Sequence, residues 1–270
     1  MRFDMSSTKV KTPFSVSNFS LSGTFLCTGS PNMKSPAKYD TCFKSCYLTK
    51  NLLENYNELD SFGYWVLTDW IEETQPSKEQ FHGGLGLFTQ DGIKKPHYYA
   101  FDFMNKLGDL LIDKGNGYFI TKSYGKIQIL LYNYEHFNHL FASGETFDMT
   151  FIERYTPFSQ LGKMEISLEL TDIPVKACII REHIINQASG SAFDEWVRMG
   201  APNLCKKDIE YLKQVSVPKL FVRKEKVENN ILPINVSFFC VAAENKTDLV
   251  FCIGSSRFRV RTYMFRQFLV

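Results

Sequence analysis

The 270-residue sequence has no CxxC pair, no GxSxG, no HExxH and no glycine-rich loop ending in Lys-Ser or Lys-Thr. Those absences remove the usual signatures of thiol redox chemistry, esterase action, zinc proteolysis and phosphate binding by a P-loop. No apolar run approaches the ~18 residues of a membrane-spanning helix. The first residues, MRFDMSSTKVKTPFS, lack the apolar core of a signal peptide. Seven cysteines at irregular spacing are an odd number. Cys42 and Cys46 lie four apart on an expected helix with no second pair to complete a zinc site, so the cysteines read as reduced thiols of a cytoplasmic protein. His136 and His139 form an HxxH that follows a strand-like run and lacks a third ligand. No metal and no cofactor are expected. A net charge of +2 gives no bulk attraction to nucleic acid. The arginines of SSRFRVRTYMFRQ (Arg257, Arg259, Arg261 and Arg266) read as a solvated strand face.

What is present is an ordinary globular composition, 44% hydrophobic and 22% charged, with a high aromatic share of 15%. Aromatic rings fill cores, and their faces also stack on the C–H faces of sugars.

The first 39 residues are weakly patterned. A helix is expected over 40–59, with Asp40 as its N-cap. DSFGYWVLTD then reads as a short buried strand, apolar on both faces. Residues 69–95 form a long, glycine-marked connection of the kind that carries function. A second helix is expected over 96–111, with Pro96 in its first turn. After Gly115 the period changes to two, and GYFITKS, KIQILLYNY, TFIERY, KMEISLELTDI and VKACIIREHII read as strands. SAFDEWVRMG and CKKDIEYLKQVS read as short helices, and INVSFFCVA and DLVFCIG return to a strand pattern. The pattern implies an α+β chain: an irregular segment 1–39, an α/β piece over 40–113, and an antiparallel β-sandwich over 114–270, with 235–270 of unassigned fold.

The chemistry concentrates in YWVLTDWIEE, Tyr64 to Glu73, where an apolar run ends in Asp69, Glu72 and Glu73. Glycosidases place two carboxyl groups about 5–5.5 Å or ~6.5–9.5 Å apart across the scissile bond. In an extended segment Glu72 and Glu73 point to opposite faces, and Asp69 and Glu73 lie roughly 13 Å apart. A catalytic pair within the motif is therefore disfavoured, and holding substrate hydroxyls or simple solvation are the readings left. In QFHGGLGLF, His82 beside Gly83 and Gly84 could meet a ligand closely or could mark a structural turn.

From Asp40 to about Leu220 the chain resembles glycoside hydrolase family 39, the β-xylosidase-like family. DTCFKSCYLTKNLLENYNELDSFGYWVLTDWIEE and FHGGLGLFTQDGIKKPHYYAFDFMNKLGD carry the resemblance. It implies a (β/α)8 barrel followed by a β-sandwich, and retaining hydrolysis of β-xylosides or related glycosides. Residues 40–113 then correspond only to the barrel's last helix, strand and helix. Functional residues of barrels sit at the C-terminal strand ends. The resemblance thus places Trp65, Asp69, Glu72, Glu73, Phe81 and His82 around a xylose-type sugar.

The same resemblance places the acid/base Glu in an Asn-Glu-Pro motif, which these residues do not contain, and a nucleophile Glu where Thr28-Gly29 or Cys27 stands. No catalytic residue is assigned, and a truncated, inactive form is expected. An incomplete barrel would leave apolar helix faces uncovered, which predicts association. The similar alternative is the sugar-binding C-terminal half of an arabinose-type transcriptional regulator.

Overall fold

The structure is a computed structural model that describes residues 37–57, 62–69, 80–123, 125–136, 152–156, 163–239, 245–251 and 259–267. The chain enters through a four-residue helix, α1 (Ala37–Asp40), and a longer one, α2 (Cys42–Glu54). Thr41, not Asp40, is the N-cap of α2, and Asp40 turns its carboxylate inward instead. The helix ends at Glu54, short of the expected 59. Both the backbone N–H and the side-chain amide of Asn55 bond the Asn51 carbonyl there, which satisfies the last turn.

Helix α3 (Pro96–Met104) has the expected proline at its first turn but stops seven residues before Leu111. Leu110 and Leu111 belong instead to β1 (Leu110–Gly115), paired with Lys122 and Thr121 of β2 (Tyr118–Ser123). A short apolar run fits both periods, so pairing decides. Gly108 permits the switch: its N–H donates to Thr121 Oγ1 at 2.8 Å, and a Cβ there would lie 2.5 Å from the Lys122 carbonyl.

The remaining strands are β3 (Lys126–Tyr132), β4 (Lys163–Thr171), β5 (Ala177–Ile185), β6 (Lys219–Lys226), β7 (Leu232–Phe239), β8 (Asn245–Phe251) and β9 (Arg259–Gln267). Two short helices, α4 (Ala192–Arg198) and α5 (Lys206–Val215), lie between β5 and β6. All strand pairings between these elements are antiparallel, in a six-stranded sheet of order β1-β2-β3-β8-β5-β6 and a three-stranded sheet of order β7-β4-β9. β6, which the sequence pattern did not single out, is an edge strand with nearly every residue exposed. TFIERY is not a strand where it is described: Ile152–Thr156 is a turn. Buried Asp194 captures it, accepting from Arg154 Nε and Tyr155 Oη at 2.8 Å each.

Strands β2 and β3 of the six-stranded sheet are buried on both faces. On one, Phe119, Leu130 and Tyr132 pack with Phe43, Tyr47, Tyr99 and Phe103 of α2 and α3. On the other, Ile120, Ile129 and Leu131 join alternate residues of β4 (Met164, Ile166, Leu168, Leu170) and of β7 (Leu232, Ile234, Val236). The period-two alternation of KMEISLEL is what points one face of β4 into that core. Leu168, fully buried there, tests the packing. Leu168→Ala should cost about 2–5 kcal/mol, read as a lower urea midpoint with an unchanged slope.

Candidate functional site

The site grows from the segment Phe62–Asp69. It does not form a regular strand buried on both faces: Trp65 and Leu67 are 50% and 58% exposed, while Val66 between them is buried. Leu87 N–H donates to the Val66 carbonyl, Phe88 N–H to that of Leu67, and Asp69 N–H to that of Phe88, each at 3.1 Å. A single parallel bridge, Thr68 to Phe88, results. The connection 80–95 thus folds back along the segment that precedes it.

Charge holds this return in place. Lys95 is the N-cap of α3, where the helix dipole opposes a cation. Its ammonium is fully buried and lies 2.7 Å from Asp40 Oδ1 and 2.8 Å from Asp69 Oδ2, both carboxylates also fully buried. Lys95 Nζ further donates to Asp69 Oδ1 at 3.0 Å and to the Gly84 carbonyl at 2.9 Å. The carboxylates in turn accept backbone N–H groups of the glycine-rich loop: Gly83 donates to Asp40 Oδ2 at 2.7 Å and Gly86 to Asp69 Oδ1 at 2.8 Å. A Cβ on Gly86 would stand 2.5 Å from Asp69 N and Oδ1, so only glycine permits this approach.

The titration behaviour follows from burial and neighbours. Burial alone would lower Lys95; the charges of Asp40 and Asp69 outweigh it and raise the ammonium above its ordinary 10.5. Burial pushes Asp69 up to about 6, although Lys95 pulls it down, and the nearby Asp40 charge adds to the rise. Burial, then Lys95 and Lys44, hold His97 well below 6.5. Neutral His97 meets the Gly86 carbonyl through Nε2 at 2.8 Å, which makes that nitrogen the donor.

Of the residues expected around a sugar, Asp69, Phe81 and His82 are gathered at this fold-back. Asp69 and Phe81, expected on an open rim, are 0% and 1% exposed. Asp69 is drawn in by Lys95. Phe81 packs against Phe193 and Trp196 of α4, with ring centroids 5.5 and 5.4 Å away. His82 is partly buried and Trp65 is half exposed. Glu72 and Glu73 lie outside the described residues. The sequence reading missed Lys95 and the inward role of Asp40. The available signal was a lysine directly before Pro96, a cation at a helix start that needs acids to hold it.

Lys95→Met would leave two buried carboxylates uncompensated, and should cost roughly 3–5 kcal/mol at neutral pH. Asp69 has a folded value above its ordinary 3.8, so the folded protein takes up a proton between those limits. Its contribution to stability therefore rises as pH falls from about 6 towards 3.8. The Lys95→Met deficit should accordingly shrink between pH 7 and 4.5 in urea titrations.

The sequence profile of the glycosyl hydrolases family 39 matches residues 21–229. A β-xylosidase of Geobacillus stearothermophilus is 26% identical over 213 residues, 78% of this chain and 37% of that protein. An uncharacterized HTH-type transcriptional regulator of Staphylococcus aureus is 24% identical over 182 residues, 67% of this chain and 23% of that protein. Among solved structures, the GH39 enzyme from Xanthomonas axonopodis pv. citri has the same fold, with a TM-score of 0.65 at 18% identity over 78% of this chain and 41% of that one. The chain thus spans less than half the length of each of these relatives, and it belongs to the glycosyl hydrolases family 39.

Proposed function

We propose that this chain recognises a xylose-type glycoside without hydrolysing it. The half-exposed Trp65 carries the reading. It offers an aromatic ring within a segment whose end the Lys95 cluster fixes, in a family whose β-xylosidase members act on such sugars. On this reading α2, the Phe62–Asp69 segment and α3 are the end of a barrel, and residues 114–270 are the β-sandwich beside it. Trp65, Glu72, Glu73 and His82 form the sugar-facing rim, and Asp69 and Phe81 support it from beneath.

The chemistry supports binding over turnover. Retaining hydrolysis needs two carboxyl groups about 5–5.5 Å apart. These 270 residues hold no Asn-Glu-Pro, and Thr28-Gly29 or Cys27 stands where the resemblance puts the nucleophile. Cys42, Cys46, Cys178 and Cys205 stand outside any disulfide, which fits a cytoplasmic setting. A second reading, the sugar-sensing half of an arabinose-type regulator, draws on the regulator-like relative; it too is a binding role without turnover.

Calorimetric titration with xylose and xylo-oligosaccharides tests the proposal. Saturable binding is expected, weakened roughly five- to tenfold by Trp65→Ala, the ~1 kcal/mol of one aromatic contact. An aryl β-xyloside should release no phenol. Turnover abolished by substituting Glu72 or Glu73 would overturn the non-hydrolytic reading, and the absence of any sugar binding would overturn recognition itself.

A further inference from the structure

The loop Phe81–Gly86 is held by charge to an unusual degree. Three of its backbone polar groups are bound to the side chains of one buried ionic cluster: Gly83 N–H to Asp40, the Gly84 carbonyl to Lys95, and Gly86 N–H to Asp69. Two further anchors are uncharged. The Leu85 carbonyl accepts from Tyr64 Oη at 2.7 Å, and the Gly86 carbonyl accepts from His97. Gly83 sits at φ +78°, a conformation that glycine supplies without strain. The loop's path is therefore set by where the charges lie.

We propose that Lys95, clamped between Asp40 and Asp69, is the positioning residue of the Phe81–Gly86 loop, and that protonation of Asp69 loosens the clamp and lowers affinity for a glycoside.

Ionised, Asp69 accepts from both Lys95 and Gly86. Protonated, it loses its charge and one of its oxygens becomes a donor. Lys95 then pairs with Asp40 alone. The Gly83 anchor on Asp40 persists, while the Gly84 and Gly86 anchors weaken, so the far half of the loop is released and the fold is kept. Besides Lys95 and Asp40, which act on Asp69 directly, the titratable groups of this region are His97, bound to the Gly86 carbonyl, Lys44, which acts on His97, and, within the loop, His82. Lys44 acts on His97 as a fixed positive charge, and His97 stays neutral across the physiological range. His82, within the loop itself, is the group to be separated from Asp69 by substitution.

The affinity arm of the test rests on the glycoside-binding reading; the loop arm does not. Hydrogen exchange of the Gly84–Gly86 amides, corrected for the intrinsic pH dependence, is followed from pH 8 to 5 alongside calorimetry with xylo-oligosaccharides. Asp69 titrates at about 6, so its ionised fraction falls about tenfold between pH 7.5 and 5. Protection of these amides should fall with a midpoint near that value, and affinity should follow it. Asp69→Asn should flatten both profiles, and His82→Gln should leave the midpoint of amide protection in place. A merely structural role would shift protection equally at every pH. Protection that is independent of pH overturns the proposal, as does a midpoint that survives in Asp69→Asn or moves in His82→Gln. If exchange follows Asp69 and no sugar binds at any pH, the loop clamp stands and the glycoside reading fails.

Discussion

A lysine ammonium without water is tolerable only where carboxylates and carbonyls replace its hydration. Lys95 meets that condition at the least favourable end of a helix, and much of the surrounding path follows from it. Asp40 has to leave its expected capping place and turn inward, so Thr41 begins α2. Asp69 has to end its segment buried, so Leu87 and Phe88 are laid beside Val66 and Leu67. The glycines of the loop have to offer N–H groups to the carboxylates, and Gly86 approaches Asp69 more closely than any side chain would allow. Burial is what makes Asp69 easier to protonate than an ordinary carboxyl; Lys95 opposes the rise and the nearby Asp40 charge adds to it.

The cluster is linked to the β region by packing on two sides. Helices α2 and α3 lie on the six-stranded sheet through Phe119, Leu130 and Tyr132. Phe81, at the start of the loop, enters a smaller apolar cluster with Phe193, Trp196 and Leu212 of α4 and α5. A disturbance at Lys95 is thus transmitted to the loop first. The core shared by the two sheets, on the face of β2 and β3 away from these helices, is built from β2, β3, β4, β5 and β7.

The strong local signals were legible in the sequence. Pro96 marked a helix start, KIQILLY marked a strand, and the alternation in KMEISLEL marked a strand with one face inward. What failed needed partners far along the chain. Leu110 and Leu111 fit a helical face until β2 pairs with them. Ile152–Thr156 alternates like a strand, but Asp194, about forty residues on, holds its polar side chains in a turn. Asp69 stands beside Glu72 and Glu73 and looked like one of three similar acids. Its counter-ion lies 26 residues away, and nothing near it in sequence separates a rim acid from a buried one. The family was legible because YWVLTDWIEE and FHGGLG are specific strings, and the structure adds a physical reason for part of them: Asp69 and Gly86 are one contact.

The most direct test is nuclear magnetic resonance of the Lys95 side-chain nitrogen. The account predicts a charged ammonium whose protons exchange slowly with water at neutral pH, and which stays charged as pH rises through its ordinary 10.5. A neutral amine, or an ammonium exchanging as fast as those of surface lysines, would contradict it.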